Sequence, residues 1–228
     1  MSGFSSFINE HFLLLILVIG AVGSLVWIDI HRDRLGLGHV GALILSIMHT
    51  VYGVFCVRFF AFLENGGGSF EAMSLYGAVF FMPVLYFVLS LLLKQEKREV
   101  FDLLTPCMVF TLMCSRFNCL HAGCCQGLYI PGLSIRWPTR EIEILYYALF
   151  LLRMCPMIHA CETKGEVYPL YVMTYSALRF VIEWIRVYDG ENVMHPAHAW
   201  SLIALLISST IYFELNRISA DRKEGARR

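Results

Sequence analysis

The chain has 228 residues, of which 57% are hydrophobic and 16% are charged, and its formal net charge is zero. Soluble domains are closer to half apolar and a quarter charged, so this composition excludes an ordinary soluble domain. The absence of net positive charge argues against nucleic acid as a partner. At about 20 residues per span, the chain has room for about five to eight transmembrane helices.

Seven apolar segments follow one another along the chain. They are Phe12–Ile30, His39–Leu63, Ser74–Leu93, Val100–Leu120, Glu143–Ile158, Val167–Val187 and Ala197–Leu215. The fifth is short and contains Arg153, whereas the others have the length of membrane spans. We therefore expect an all-α, polytopic membrane protein of about seven transmembrane helices. The helices form one domain over residues 1–216, and a basic tail without regular structure follows over 217–228.

Lysine and arginine predict the orientation in the membrane, because these residues are enriched in cytoplasmic loops. The loops after segments one, three, five and seven contain Arg32, Arg34, Lys94, Lys97, Arg98, Lys164 and the five basic residues from Arg217 to Arg228. The other side has Arg136 and Arg140 after segment four. We therefore expect the N-terminus outside and the C-terminus in the cytoplasm.

Segment six contains charge where charge is costly. Tyr175, Arg179, Glu183 and Arg186 recur at i, i+4, i+8 and i+11, which predicts one stripe along a helix. An internal Arg179–Glu183 pair, with Arg186 reaching the interface, is one explanation. The other is functional, because intramembrane charge marks sites and Arg116 lies at the outer end of segment four. Guanidinium groups bind phosphate as a bidentate fork, so a lipid phosphate is the expected partner.

The stretch "SRFNCLHAGCCQG" is the densest cluster of reactive side chains. It contains Arg116, Asn118, Cys119, His121, Cys124, Cys125 and Gln126. Zinc is one explanation, but C-x4-C-C lacks the paired CxxC spacing of structural zinc sites. A disulfide or redox cluster is a second. We favour a third, a lipid-facing site wall in which Gly123 and Gly127 permit close backbone approach, and we expect no metal and no cofactor.

Two further polar residues have a structural and a functional explanation. Glu143 lies near the first turn of segment five, where an acidic side chain favours the helix dipole. His198, at the start of segment seven, could cap that helix or face the site.

These stretches together resemble the prolipoprotein diacylglyceryl transferase family of bacterial membrane enzymes. The similar stretches are "GGGSFEAMSLYGAVF", "SRFNCLHAGCCQG", "WPTREIEIL" and "TYSALRFVIEWIRVYD", in the family's order. The resemblance runs from about Arg58 to the end of segment seven. It implies transfer of the diacylglyceryl group of phosphatidylglycerol to the lipobox cysteine of a prolipoprotein signal peptide, in the bacterial plasma membrane.

The resemblance also implies site residues. Arg116 and Arg179 match the essential arginines, Tyr175 and Glu183 their neighbours, Arg186 the supporting arginine, Glu143 the helix-opening glutamate, and Gly123 and Gly127 the loop glycines. Three positions depart from the family: Tyr76 replaces a histidine before Gly77, Cys119 an asparagine, and His198 a glutamine. The missing histidine removes a proposed general base, for which His121 and Tyr76 are the candidate replacements.

Two other functions remain open from the sequence. The first is a non-catalytic membrane protein of the same fold that binds lipid or lipopeptide, which the replacements at Tyr76 and Cys119 favour. The second is a thiol-redox or metal-handling membrane protein that uses the cysteine-rich stretch.

Overall fold

Seven α-helices make up most of the part of the chain that the structure describes. The computed structural model describes residues 2–68, 70, 72–161, 163, 165–187 and 195–225. The helices are α1 (Ser2–Ile30), α2 (His39–Glu64), α3 (Tyr76–Leu92), α4 (Lys97–Ala122), α5 (Thr139–His159), α6 (Val167–Glu183) and α7 (Pro196–Gly225), with a short 3-10 helix, Arg32–Leu35, after α1. Within these ranges, extended pairing is limited to two isolated bridges. The all-helical architecture is as predicted.

Among the described residues, five helices are long and apolar enough to cross a membrane. These spans are His11–Ile30, His39–Glu64, Lys97–Ala122, Thr139–His159 and Pro196–Ile218, and α3 is a shorter apolar helix. Large apolar side chains such as Val40, Leu92 and Leu152 are exposed on the outer surface of the bundle. Such a surface suits lipid rather than water, which confirms the predicted polytopic membrane protein. The orientation of the termini stays a prediction.

Two expectations about helix ends are wrong. Helix α6 ends at Glu183 rather than at Val187, so Arg186 lies beyond the helix, in an antiparallel bridge with Gly127. Helix α7 continues to Gly225 and therefore includes most of the tail that we expected to lack regular structure. Residues 188–194, which belong to the predicted outer loop before α7, lie outside the described residues.

Helix α4 lies at the centre of the bundle, where it packs against α1, α2, α3, α5 and α6. Its buried Asp102 accepts hydrogen bonds from the backbone N–H groups of Gly165, at 2.6 Å, and Val167, at 3.1 Å. Helix α6 has no side-chain cap of its own, so Asp102 satisfies donors that the start of a helix leaves unpaired. The cap holds α6 against α4 at the end of the bundle opposite Arg116.

Helices α2 and α3 cross closely at Gly77. A Cβ atom at this position would collide with the carbonyl oxygen of Cys56 and lie 2.7 Å from Val57 Cα. At Gly53, also on α2, the nearest atom to an added Cβ is Met82 Sδ, at 3.8 Å. Only the first position therefore requires a residue without a side chain.

We expect Gly77→Ala to lower the stability of the detergent-solubilised protein by about 1–3 kcal/mol, because the added methyl group forces the two helices apart. Gly53→Ala is the matched control and should stay close to the wild-type value. Thermal unfolding followed by intrinsic fluorescence measures both. Equal stability of the two variants would show that the crossing tolerates a side chain.

The predicted orientation can be tested with one added and one native cysteine. Ser134, exposed between α4 and α5, is expected outside, and the exposed Cys161, between α5 and α6, is expected in the cytoplasm. A membrane-impermeant maleimide applied to intact spheroplasts should label Ser134→Cys and should label Cys161 only after permeabilisation. Peptide mass spectrometry identifies the labelled cysteines. Labelling of Cys161 in intact spheroplasts contradicts the orientation.

Candidate active site

The centre of the site is a buried carboxylate between two buried guanidinium groups. Glu143 on α5 faces Arg116 on α4, with Arg116 Nε 2.7 Å from Oε2 and Nη2 2.9 Å from Oε1. Arg179 Nη1 on α6 lies 2.6 Å from Glu143 Oε1. All three side chains are at least nine-tenths buried. Three helices thus meet through one set of ion pairs.

The ion pairs continue along α6. Arg179 Nη2 also contacts Glu183 Oε1, one turn further on, and Arg186 Nη1 lies 3.4 Å from the same oxygen. The Arg179–Glu183 pair of the structural explanation is therefore present, but it is part of a larger network. Three arginines and two glutamates belong to this network among the described side chains, and all three arginines also line a cavity. Because guanidinium groups bind anionic oxygen as a planar fork, an anionic group is the ligand that suits this position.

A cavity of about 600 Å³ opens beside the network. Its polar lining residues are Arg116, Arg179, Arg186, Tyr76, Tyr175, Cys119, Cys124, Cys125, Arg58, Asn118, Glu64, Ser74, Thr111, Ser115 and His195. Its other lining residues are mainly apolar and include Leu17, Val54, Met82, Met108 and Leu112, with His49 among them. Arg116 follows Met108 by eight residues on α4, which is about 12 Å along a helix. The cavity therefore has a charged end and an apolar end.

The loop after α4 covers the charged end. Leu128 N donates to Ile185 O over 2.7 Å and Val187 N to Gln126 O over 2.9 Å, so the loop pairs with the residues that follow α6. This pairing places Gly127 opposite Arg186. The pairing thus holds the backbone of Arg186 in place beyond the end of α6.

Gly123 and Gly127, the two loop glycines, are each required for a different structural reason. An added Cβ at Gly127 would collide with the carbonyl oxygen of Trp137 and lie 2.7 Å from its Cβ, so the predicted close approach is present there. At Gly123 the nearest atom would lie 3.9 Å away, and close approach is not the reason. Gly123 ends α4 with a φ of 69°, a left-handed conformation that glycine adopts without steric cost.

Comparison with known proteins decides the family. The family model for prolipoprotein diacylglyceryl transferase matches residues 16–213, which is most of the chain and contains every residue of the network. The chain belongs to the prolipoprotein diacylglyceryl transferase family. Membership and the five long apolar helices agree with the predicted location in the bacterial plasma membrane.

Named relatives are distant. Phosphatidylglycerol–prolipoprotein diacylglyceryl transferase 2 of Clostridium perfringens is 23% identical over 166 residues, which cover 66% of this chain and 65% of that protein. The phosphatidylglycerol–prolipoprotein diacylglyceryl transferase of Dehalococcoides mccartyi is 23% identical over 172 residues, which cover 68% of this chain and 66% of that protein. The chain thus spans just under two thirds of the length of these relatives.

Most of the residues that the resemblance to the transferase family implied come together. Arg116, Arg179, Arg186, Tyr76, Tyr175 and Cys119 line the cavity, and Glu143 and Glu183 hold the arginines. Tyr76 spans from α3 to α7, where its hydroxyl lies 2.5 Å from Ser201 Oγ. Ser201 uses its one hydroxyl hydrogen to donate to Ala197 O. Tyr76 is therefore the donor in its hydrogen bond with Ser201.

Two predicted histidines do not line the cavity. His121 is exposed and stacks on Phe12, with ring centroids 4.1 Å apart. Five residues correspond to about 500° around a helix, which places His121 roughly 140° from Arg116. His198 is buried against Trp184, with ring centroids 4.8 Å apart, and its Nδ1 lies 3.3 Å from His195 O. Neither position supports direct contact with a substrate in the cavity.

Glu143 has a larger role than its position near the start of α5 suggested. Glu141 occupies the first turn of α5, whereas the Glu143 carboxylate points into the bundle toward Arg116 and Arg179. The sequence did contain an indication of this role. Glu143 stands at the start of an apolar run, where a carboxylate inside the bundle needs a buried partner of opposite charge. Arg58 and His49 on α2 also line the cavity and were not predicted as site residues.

Positive charge acts on the loop thiols as well. The hydrogen bond with Cys119, followed by the charges of Arg186 and Arg116, lowers the pKa of the Cys125 thiol. Burial raises the pKa of its neighbour Cys124. The pKa values of the two adjacent thiols thus shift in opposite directions, mainly because Cys125 is hydrogen-bonded to Cys119 and also lies near the two arginines, whereas burial dominates at Cys124.

We expect Glu143→Gln to destabilise the protein by about 3–5 kcal/mol, because it leaves two buried guanidinium groups without their shared carboxylate. Glu141→Gln removes the same charge two residues away, at a side chain that is 48% exposed, and should change stability by less than about 0.5 kcal/mol. Denaturation in detergent measures both variants. A similar loss in both would mean that charge on α5, rather than the buried pairing, matters.

Proposed function

We propose that this chain transfers the diacylglyceryl group of phosphatidylglycerol to the lipobox cysteine of prolipoprotein signal peptides in the bilayer. Family membership supports a transferase of this kind. The observation that carries the proposal is the group of three arginine side chains, Arg116, Arg179 and Arg186, that lines one end of a mainly apolar cavity. A phospholipid has the matching form, with a monovalent phosphodiester joined to acyl chains.

Arg116 and Arg179 are the proposed phosphate ligands. A guanidinium group has five N–H donors in a planar fork. Arg116 directs its Nε and Nη2 edge toward Glu143, while Nη1 lies on the side of Cys119 and Cys125. The glutamate thus holds each arginine in place and leaves further donors for a phosphate in the cavity.

The transfer requires these donors in the step in which glycerol phosphate leaves. The thiolate sulfur of the lipobox cysteine attacks the glycerol carbon that bears the phosphate, and the carbon–oxygen bond breaks. Its electron pair moves onto the phosphate oxygen, so negative charge increases there as glycerol phosphate leaves. Preorganised donors in a site without bulk water stabilise such charge, and each contributes about 2.7–4 kcal/mol.

Lipid binding without transfer is the second candidate. It is favoured by the positions of His121 and His198 away from the cavity lining and by the hydrogen bond of Tyr76 to Ser201. A protein of this kind would bind phosphatidylglycerol through the same arginines but form no thioether.

A transfer assay separates the two candidates. Purified protein in detergent is incubated with phosphatidylglycerol labelled in its acyl chains and with a synthetic lipobox peptide, and peptide-bound label is measured. We expect product with the cysteine peptide and none when serine replaces the cysteine. Saturable binding of the lipid without labelled peptide would support the second candidate instead.

Arg179→Lys tests the phosphate role. The variant keeps the positive charge but loses the planar fork, so kcat/KM for transfer should fall roughly 10²- to 10³-fold. Arg153→Lys, at an exposed position on neighbouring α5, is the matched control and should retain activity. Thermal unfolding of each variant shows whether it is folded. Full activity of a folded Arg179→Lys variant would remove this residue from phosphate binding.

A further inference from the structure

Three cysteine side chains meet at the charged end of the cavity. Cys119 is in the last turn of α4, and Cys124 and Cys125 lie in the loop that follows. Their sulfur atoms all lie within 4.8 Å of one another, and Cys119 Sγ and Cys125 Sγ are 4.0 Å apart. All three are free thiols and all three line the cavity.

The spacing of the sulfur atoms suits one metal ion. Tetrahedral zinc with Zn–S bonds of about 2.3 Å holds its sulfur ligands about 3.8 Å apart. Movements of about 1 Å or less therefore bring the three sulfurs into a zinc site. The sequence argued against zinc because paired CxxC spacing is absent, but that spacing describes closed, four-ligand structural sites. Three protein ligands with an open fourth position are the pattern of catalytic zinc sites.

The backbone is shaped to bring adjacent cysteines together. Cys125 has a φ of 58°, in the left-handed region that costs a residue with a side chain about 1–2 kcal/mol. The loop around it is held by neighbouring side chains: Thr139 Oγ1 donates to Cys125 O over 2.9 Å, and Arg140 Nη1 donates to Cys119 O over 3.3 Å. An unfavourable conformation that is supported in this way indicates a functional requirement.

We propose that Cys119, Cys124 and Cys125 bind one zinc ion as thiolates and leave its fourth coordination position open to the cavity. Zinc with three thiolates carries one net negative charge. The site lies beside positive charge, because Arg116 Nη1 is 3.9 Å from Cys119 Sγ and 4.0 Å from Cys125 Sγ. The arginine that is proposed to bind phosphate is thus adjacent to the metal site.

The open position is suited to the lipobox thiol, a step that rests on the proposed function. The thiol coordinates zinc and releases its proton to solvent, because zinc binds the thiolate form. The sulfur then forms its bond to the glycerol carbon, the bond from that carbon to the phosphate oxygen breaks, and Arg116 stabilises the departing phosphate. Zinc in this role lowers the pKa of the lipobox thiol, so that no histidine base is needed. The resemblance to the transferase family implies such a histidine at the position of Tyr76.

Metal content tests the site independently of transfer. The full chain is purified in detergent with a phosphine reductant, unbound metal is removed with a weak chelator, and zinc is measured by mass spectrometry. We expect about one zinc ion per chain in the wild type. In Cys119→Ser and Cys125→Ser we expect the zinc content to fall roughly tenfold or more. Cys161→Ser, at an exposed cysteine outside the cavity lining, is the matched control and should keep its zinc.

Cys124→Ser separates loss of zinc from loss of folding. Cys124 is exposed, so its replacement leaves the buried side chains in place, and the folded variant should still lose its zinc. Thermal unfolding of each variant accompanies the metal measurement. A wild-type protein without zinc, copper in its place, or equal zinc in Cys124→Ser and Cys161→Ser would overturn the metal site.

Cobalt substitution tests the open position. The visible spectrum of the Co²⁺-loaded protein should change when the lipobox peptide is added and should not change with its serine analogue. An unchanged spectrum with both peptides overturns thiol coordination. Bound zinc and a peptide-dependent spectrum without labelled peptide in the transfer assay would instead count against the proposed function and leave the metal site intact.

Discussion

The shared pairing of Glu143 with Arg116 and Arg179 is the constraint on which the rest of the structure depends. Charge inside an apolar bundle is stable only beside a compensating charge, so α4, α5 and α6 meet at one depth. Asp102 fixes the opposite end of the α4–α6 contact through the backbone N–H groups of Val167, the first residue of α6, and of Gly165 just before it. Because polar contacts hold both ends of the α4–α6 contact, the apolar side chains between these ends contribute through shape complementarity alone.

The same ion pairs unite stability with the proposed chemistry. The glutamates hold the guanidinium groups in place before any lipid arrives, so little reorganisation is needed when phosphate charge develops. The same three arginines line the cavity, so the groups that join the helices are also the proposed ligands of the lipid phosphate.

Much of the fold was predictable because apolar runs and charged loops mark helices directly. The end of α6 was not, because Trp184, Ile185 and Val187 are as apolar as the helix before them. The backbone of Ile185 and Val187 instead pairs with residues 126–128, which are about sixty positions away in the chain. His121 was assigned to the site from its distance along the sequence, and the angle around α4 decides against it. The meeting of Cys119 with Cys124 and Cys125 depends on left-handed backbone that spacing does not reveal.

The distribution of the ion pairs has a consequence for biogenesis. Membrane helices enter the bilayer in the order of synthesis, singly or as hairpins, and an unpaired charge impedes each entry. Here the hairpin of α4 and α5 contains its own pair, Arg116 with Glu143, and α6 contains Arg179 with Glu183 four residues apart. Each unit therefore contains the partner of its own buried arginine. The link between Arg179 and Glu143 joins the two units, so it requires their lateral association in the bilayer.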